Sequence, residues 1–474
     1  MIKRILTVFS GMLLVVLAPA QQTQSWSVQQ CVDYALKNNI QIQQTDINVK
    51  LSELSLLQSK ANVLPNLNGN FSHTYNYGRT IDRFTNQFAD DRVLSQNFYL
   101  SSSIIVFQGL QNWNTIRQNM FALNANRLQV DKIRNDISLN VATAFLQVLY
   151  AEENSENARK QAALTRDQVK RTEKLVEVGS LAKGNLFDMQ SQLAQEELTQ
   201  VNAENSLVLA YLTLTQLMRL DSTAGFQIER PLIPAPAENL LNITPEQIYA
   251  AAVLNQASVK SAEMNYLSAD KAVDVAWGAA SPSVVLNGAY GTGYSGASQQ
   301  ISNANWNGGF DTTGVTSGGD LTLTPHIDYS FENIPFSEQL DNNLNKSIGI
   351  QVSVPLFNRM QVYTGVKRAE LQRENARLSF EQSKNDLQRS IQQAYADAVA
   401  AFSRFKASEK ALNAMQESFK YTDQKFNVGA VNSLDYNTAK AKLNRAQSDL
   451  LQARYDYIFK LKVLDYYQGK PIVF

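Results

Sequence analysis

The chain has 474 residues, and its 43 basic and 43 acidic side chains give a formal net charge of zero. This balance excludes an electrostatic basis for nucleic-acid binding, which requires clustered cations. The length is sufficient for about three domains by the usual prior. An internal repeat, described below, instead predicts one unit built twice.

The first 20 residues have the three parts of a secretory signal peptide. Basic residues stand at positions 3 and 4, residues 5–17 are apolar, and Ala18-Pro19-Ala20 fits an A-x-A cleavage site. The predicted mature chain therefore begins near Gln21. No later stretch has 18 consecutive apolar residues, so we predict no transmembrane helix. An exported chain of this kind is expected to be either soluble or a β-barrel.

One helix and two strands are predicted next. Residues 27–64 are predicted to form a single helix that Pro65 ends. Residues 66–77 have Asn, Ser or Thr at every even position, a period-two alternation over the length of a tilted membrane strand. Residues 97–107 alternate less cleanly, and the polar residues 78–96 are predicted to be a loop. A soluble sheet with one wet face is the alternative.

A long helical hairpin follows these strands. Residues 110–224 contain no proline and only two glycines, Gly179 and Gly184, so helix interiors are uninterrupted. Apolar residues recur at steps of three, four or seven over residues 113–148, as in a coiled-coil-like stripe. The predicted helix 110–176 has 67 residues, which corresponds to about 100 Å. Gly179, just past its end, predicts a left-handed turn.

The second half of the chain repeats this order after a proline-rich linker at residues 221–243. A helix is predicted over 244–280, with strands at 283–294 and 347–356. The segment 295–345 between these strands is rich in Gly, Asn and Ser, so we predict a polar, mobile loop. A second helical hairpin completes the chain.

A constant offset of 250 residues relates the two halves. It maps Phe107 to Phe357 and Val178-Gly179 to Val428-Gly429, without a gap over more than 100 residues. This match predicts a duplicated unit, in which each repeat has a helix, two barrel strands and a helical hairpin. The predicted organisation is a signal peptide at 1–20, a first repeat at 21–220, a linker at 221–243 and a second repeat at 244–474.

Four strands per chain are too few to close a membrane barrel, for which about eight strands is the lower limit. An open sheet edge is not tolerated in lipid. Membrane insertion therefore requires oligomerisation. A dimer would supply eight strands, and a trimer would supply twelve strands and a real lumen.

These features together resemble the TolC-like outer membrane factor family. The resemblance rests on the signal peptide, the tandem repeat, Leu64-Pro65-Asn66-Leu67 before the first strand, Pro355-Leu356-Phe357 after the last, and the two Val-Gly tips. It implies an α+β membrane protein, a homotrimer whose 12-stranded β-barrel continues into a long periplasmic α-helical barrel. It also implies a passive outer-membrane duct of a tripartite efflux or type I secretion-like system. The implied partners are outer-membrane lipid, a periplasmic adaptor and an inner-membrane transporter.

The resemblance implies two kinds of site. The adaptor is expected to dock on the hairpin tips, which comprise Val178, Gly179, Ser180, Val428, Gly429 and Ala430. In the family, acidic residues six and nine positions after the second tip glycine narrow the periplasmic aperture. Here those positions are Asp435 and Thr438, and their counterparts in the first repeat are Asn185 and Asp188. An acid in a first helical turn also favours the helix dipole, which is the structural alternative.

Residues that commonly carry chemistry are few. Cys31, the only cysteine, lies in a helical pattern and is predicted to be a small buried hydrophobe. His73 and His326 have no ligand spacing, and the G-x-G-x-x-G match at 291–296 does not open a helix. We therefore predict no catalytic residue, metal site, cofactor or nucleic-acid partner. The alternative to a duct is a coiled-coil structural or adhesive cell-surface protein.

Overall fold

The computed structural model divides the chain into two units. The residues that it describes are 25–82, 84, 86, 88–89, 92–221, 225–231 and 243–470. The predicted signal peptide and most of the predicted linker lie outside them. One unit is helical and comprises the described parts of 1–50, 124–263 and 378–474, whereas the other contains the main sheet and comprises Leu51–Leu123 and Met264–Arg377.

Four long helices account for most of the chain. They are α3 (Gln111–Glu177), α4 (Lys183–Met218), α8 (Gln361–Asn427) and α9 (Ser433–Tyr467). Both α3 and α8 have 67 residues, and their bounds are offset by 250. The predicted lengths of the long helices are therefore confirmed, whereas the division of the chain into two repeats stays a prediction.

The shorter helical segments are each broken in two, so the prediction of one continuous helix over 27–64 and one over 244–280 is wrong. The helices are α1 (Val28–Asn38), α2 (Ile40–Ala61), α5 (Pro245–Asn255) and α6 (Ala257–Gly278). Asn39 and Gln256 adopt extended backbone at the breaks. The Asn39 Oδ1 accepts the N–H of Gln41 at 2.8 Å. Asparagine favours such caps because its short side chain competes with helical hydrogen bonds.

The helical unit has one core cluster among α1, α3, α4 and α9 and a second among α5, α6, α8 and α9. Val141, Phe145 and Leu214 are fully buried in the first cluster, together with Cys31. Cys31 has no exposed surface, which confirms the prediction of a small buried residue, and burial raises the pKa of its thiol to about 12. The apolar stripe predicted over residues 113–148 of α3 is not buried along its whole length. In the sheet-containing unit its first residue, Trp113, is 61% exposed in the single chain.

A short parallel ribbon packs against the first core cluster of the helical unit through Ile228 and Trp26. Strand β1 (Ser25–Trp26) pairs with β6 (Gln227–Ile228), which falls inside the predicted linker. Arg230, just after β6, donates to Glu152 Oε2 of α3 at 2.8 Å. The linker is therefore fixed to the helices at its beginning.

The four predicted strands form one antiparallel sheet. They are β2 (Asn68–Asn76), β5 (Val93–Gln108), β7 (Ser283–Ser295) and β10 (Asn345–Ser353), and their order in the sheet is β10-β7-β5-β2. Strands β2 and β10 are thus the two edges. The loop predicted at 78–96 contains a two-residue pairing of β3 (Thr80–Ile81) with β4 (Phe88–Ala89).

The segment predicted as a polar loop at 295–345 is instead regular structure. It contains a long antiparallel hairpin, β8 (Gln299–Val315) with β9 (Leu321–Asn333), and a short helix α7 (Phe336–Asn342). The prediction failed because the Gly, Asn and Ser content outweighed a period-two alternation in β9 that the sequence already shows.

Candidate functional site

Both predicted tip glycines end a long helix in the left-handed conformation. Gly179 has a φ of +76° and Gly429 a φ of +79°. At the first tip the N–H of Ser180 donates to the Leu175 carbonyl at 2.8 Å and that of Gly179 to the Val176 carbonyl at 3.0 Å. This pair of bonds defines a Schellman cap, and the second tip has the same pair. A Cβ would meet open space at either glycine, so only the backbone conformation requires glycine.

A serine joins the two tips. Ser433, the first residue of α9, is 3% exposed. Its Oγ lies 2.8 Å from Asn185 Oδ1 and 3.0 Å from Asp188 Oδ2, both on α4. The structure thus brings two predicted aperture residues into one contact with a residue that the sequence analysis did not single out. A serine at the beginning of a helix is a common cap, so the sequence contained no signal for this contact.

The two aperture residues predicted on α9 lie in its first two turns. Asp435 is exposed, and its N–H donates to the N-cap Asn432 Oδ1 at 2.8 Å. Thr438 is also exposed, and its hydroxyl donates to the Leu434 carbonyl at 2.8 Å. An acid beside a helix N-terminus is stabilising, so the helix-dipole alternative for Asp435 is compatible with this geometry.

A groove between α4 and α9 is lined by two of the four predicted aperture residues. Asp188 and Thr438 line it together with Lys442 and Arg445, which lie further along α9 from the tip. The groove therefore has an acid near the tip and two cations beyond it. The sequence analysis did not include these cations, because their side of α9 is defined only by the packing of the two helices.

The tips also expose apolar side chains. Val178 is 73% exposed and Val428 is 79% exposed. Phe187 on α4 and Leu434 on α9 are similarly exposed in the turns that follow the tips. Scattered apolar residues are ordinary on a surface, but several grouped around two neighbouring turns are typical of an interaction site. The sequence analysis identified the valines and missed Phe187 and Leu434.

A buried polar group of residues lies farther from the tips. Lys440 on α9 and Glu196 on α4 are both nearly inaccessible, and their Nζ and Oε1 atoms are 3.8 Å apart. The Thr165 hydroxyl of α3 lies between them, bonded to both, and Gln168 Oε1 accepts from Lys440 at 3.3 Å. Burial lowers the pKa of the Lys440 ammonium, and the charge of Glu196 opposes that shift. One ion pair and the hydrogen bonds of Thr165 and Gln168 thus link α3, α4 and α9.

The two faces of the four-stranded sheet differ in polarity. The cross-strand register places one set of apolar side chains together: Phe71, Phe98, Leu100, Ile104, Leu286, Tyr290, Ile348, Ile350 and Val352. Most side chains on the opposite face are small and polar: Asn68, Asn70, Ser72, Thr74, Ser95, Asn97, Ser101, Ser103, Asn287, Ser347 and Gln351. On edge strand β10 the apolar residues are bare, with Ile348 86% exposed. One apolar and one polar face is the pattern of a membrane barrel wall.

Other candidate chemistry is sparse in the described part of the chain. No cluster of three His, Cys, Asp or Glu side chains there has the geometry of a metal site. The glycine motif at 291–296 lies in and just after strand β7, not before a helix. His73 contacts Gln96 at 2.7 Å, and His326 contacts Asp311 at 2.7 Å. Across the described ranges, the helices lack the combination of length and apolar character that a bilayer-spanning helix requires.

Four long helices with an amphipathic four-stranded sheet form a fold that this chain shares with solved structures of outer-membrane proteins. VceC from Vibrio cholerae is similar with a TM-score of 0.73 and 16% identity, covering 94% of this chain and 96% of that one. CmeC from Campylobacter jejuni is similar with a TM-score of 0.73 and 15% identity, covering 93% and 85%. The CusC structure gives a TM-score of 0.74 at 14% identity, covering 94% and 92%.

The family model described as outer membrane efflux protein matches residues 31–218 and 248–466, so the chain belongs to this family. TolC of Vibrio cholerae is 22% identical over 409 residues, which is 86% of this chain and 82% of the relative. TolC of Escherichia coli K12 is 21% identical over 402 residues, which is 85% and 73%. Membership confirms the predicted family, the outer-membrane location and the prediction that the chain is not an enzyme. It does not favour the adhesive alternative.

Proposed function

We propose that this chain is one of three identical subunits of a passive duct across the outer membrane and the periplasm, serving a tripartite efflux or type I secretion-like system. The observation that carries the proposal is an amphipathic sheet with two unpaired edges, β2 and β10. Its bare apolar face suits lipid, and its polar face suits a water-filled lumen. An adhesin in water would leave that apolar face uncovered, so the sheet favours the duct.

The sheet's topology supports closure between copies. All neighbouring strands are antiparallel in the order β10-β7-β5-β2, so β10 and β2 run in opposite directions. The β2 edge of one copy can therefore pair with the β10 edge of the next and keep the whole wall antiparallel. Three copies give twelve strands, which leaves no open edge in lipid and a lumen wider than that of an eight-stranded barrel.

The long helices supply the periplasmic part of the proposed duct. At 67 residues each, α3 and α8 are about 100 Å long. Apolar side chains remain exposed on both in the single chain, including Trp113, Tyr363 and Leu371. Contacts between helices of neighbouring copies would cover these side chains and form a helical tube.

The proposed partners follow from the tips and the relatives. AprF of Pseudomonas aeruginosa, named an alkaline protease secretion protein, is 24% identical over 123 residues, 26% of this chain and 26% of that one. We place a periplasmic adaptor on the tip residues Val178, Gly179, Ser180, Val428, Gly429 and Ala430, because their apolar side chains and tight turns are exposed. An inner-membrane transporter would then supply cargo and energy, because a water-filled tube provides neither.

The proposed periplasmic aperture is formed by the first two turns of α4 and α9, which follow the hairpin tips. In a trimer Asp435 and Asp188 each appear three times around the axis, and carboxylates arranged in a ring attract cations. Asn185 and Thr438 are the uncharged members of the same set. Lys442 and Arg445, further along the α4–α9 groove, would oppose this field, so we expect weak cation selectivity at this end.

The mass of the detergent-solubilised complex tests the assembly. We expect three copies of the chain with the β-content of the folded protein. A stable monomer or dimer that retains full β-content would contradict the proposed trimer, because its sheet edges would remain open or its barrel would have only eight strands.

A further inference from the structure

The β8–β9 hairpin, residues 299–333, has two faces of opposite character. In β9 the odd positions from 321 to 331 are Leu, Leu, Pro, Ile, Tyr and Phe, and the even positions from 322 to 332 are Thr, Thr, His, Asp, Ser and Glu. The register pairs Trp306 with Ile327 and Ile301 with Phe331. Directly paired residues share a face, so β8 extends the apolar face of β9. The hairpin is an amphipathic ribbon.

The apolar face of this ribbon is bare. Trp306 and Phe331 are each 60% exposed, and six other large apolar side chains of this face are more than half exposed. These are Ile301, Phe310, Val315, Leu321, Leu323 and Tyr329. A two-stranded ribbon is marginal in water without a third layer against its apolar face, and a patch of this size is typical of an interaction surface. Something is therefore expected to cover it.

The charges of the hairpin favour another copy of the same hairpin as the partner that covers its apolar face. Residues 299–333 contain four acids, Asp311, Asp320, Asp328 and Glu332, and no lysine or arginine. Surfaces that lie on anionic lipid headgroups use basic side chains, so this ribbon is poorly suited to a lipid surface. The apolar face itself has no charged residue, and identical copies can therefore meet there without like-charge repulsion.

Position and reach are compatible with the same partner. The hairpin follows the end of β7, whereas the start of β7 follows α6, so the hairpin leaves the sheet at the end opposite the helices. A strand of 13 residues, the length of β9, is roughly 43 Å long. A 12-stranded barrel has a radius of roughly 12 Å at ordinary strand spacing and tilt. Three hairpins can therefore reach the axis of the proposed trimer.

We propose that the apolar faces of the three β8–β9 hairpins pack against one another over the outer mouth of the duct and narrow it. The base of each hairpin is fixed for this role, because Gln339 of α7 bonds both the N–H and the carbonyl of Ser295, at 2.9 and 3.1 Å. The inference rests on the proposed trimer and adds an outer constriction that the duct alone does not require.

Cross-linking of single cysteines tests the packing. In a Cys31→Ala background, Leu323→Cys lies on the apolar face and the neighbouring Thr324→Cys lies on the polar face, as a matched control. We expect a short bis-maleimide to link Leu323→Cys chains within trimers at least about tenfold faster than Thr324→Cys chains. Equal rates, or no link from either in trimers of unchanged mass, would overturn the inference while the proposed duct stands. Protection of Leu323→Cys from a water-soluble maleimide only in lipid vesicles, without links, would assign the face to lipid.

Replacement of residues 299–333 by a short Gly-Ser segment tests the constriction. Trimers should persist, and the single-channel conductance should rise measurably above that of the full chain. Unchanged conductance in trimers of correct mass would overturn the outer constriction. If the full-length chain itself forms no trimers, both the proposed duct and this inference are contradicted. The mass measurement distinguishes that outcome from failure of the constriction alone.

Discussion

Ser433 Oγ lies 3.0 Å from Asp188 Oδ2, so a hydroxyl at the beginning of α9 contacts an acid in the second turn of α4. The contact joins the two hairpin tips and involves Asp188, which is the first-repeat counterpart of the predicted aperture position Thr438. Asp188 is therefore held by the neighbouring hairpin, whereas the backbone at Asp435 is held by its own helix cap. The two acids are expected to respond differently to substitution.

Removal of the hydroxyl should loosen the tips. Ser433→Ala loses one hydrogen bond to a charged or amide oxygen, which corresponds to about 1 kcal/mol. If the tips separate when the aperture opens, the open probability in single-channel recordings should rise about fivefold. Ser180→Ala, at the exposed first tip, is the control and should leave the open probability unchanged. Equal behaviour of the two variants would show that the Ser433 contact does not hold the aperture.

Neutralising the acids tests their place at the aperture. We expect Asp435→Asn to lower cation selectivity and to weaken block by multivalent cations, because a ring of three carboxylates is removed. Asp188→Asn and the double variant show whether the acid of the first repeat, that of the second repeat, or both contribute to the selectivity. Wild-type selectivity in both single variants would favour the helix-dipole role, and a change in Asp188→Asn alone would assign the ring to the first repeat.

The tip glycines are predicted to be required for conformation and for docking. Gly429→Ala should lower the stability of the tip by about 1–2 kcal/mol, because an L-residue is unfavourable at its left-handed φ. Gly184→Ala is the control, since Gly184 lies inside α4 with open space around it and alanine favours helix. Thermal unfolding should show a lower midpoint for the first variant and an equal or higher one for the second.

A bulky tip side chain addresses docking separately. Gly429→Trp should abolish export while trimers remain in the membrane. Normal export would contradict docking at this tip, and lost trimers would show a role in folding only.

The buried pair Lys440–Glu196 should be costly to break. Glu196→Gln leaves an ammonium buried without its counter-charge, so we expect a loss of about 3–5 kcal/mol in the free energy of unfolding. Lys440→Met with Glu196→Leu together should recover much of it. Glu417→Gln is the control, because its pair with Lys420 is exposed and contributes about 1 kcal/mol or less. A loss of similar size in Glu196→Gln and Glu417→Gln would contradict the account.

The stability of the β8–β9 hairpin should depend on pH through the protonation of His326 on its polar face. A hydrogen bond to Asp311 raises the pKa of His326, and the Asp328 carboxylate adds to the shift. Because the pKa is raised on folding, this ion pair stabilises the hairpin fully below about pH 6.5, the ordinary histidine value. The contribution is lost as pH rises through the raised value. NMR titration of the imidazole should show a lower midpoint in Asp311→Asn, and Asp320→Asn should not change it.

The sequence predicts the long helices and the four strands of the main sheet well because their signals are local. Helices α3 and α8 contain no proline and only one glycine, Gly365 near the beginning of α8, and alternation predicts β2 and β10. The breaks at Asn39 and Gln256 were missed, since neither residue excludes a helix and the extended backbone depends on packing. The β8–β9 hairpin was missed because composition was weighed above alternation.

The features of the hairpin tips were predictable only where they depend on local sequence and not on packing between helices. The turns at Gly179 and Gly429 follow from one residue type in one conformation. The contact of Ser433 with Asp188, and that of Lys440 with Glu196, join residues about 245 positions apart. No local pattern encodes such pairs, because they depend on which faces of the helices meet.

Single-channel recording of the purified protein in planar bilayers tests the central claim most directly. The account predicts stepwise, ion-conducting openings of a passive pore from particles with the mass of three chains, with no requirement for nucleotide or another protein. Trimers that insert into the bilayer without conductance, or conductance from monomers alone, would contradict the trimeric duct.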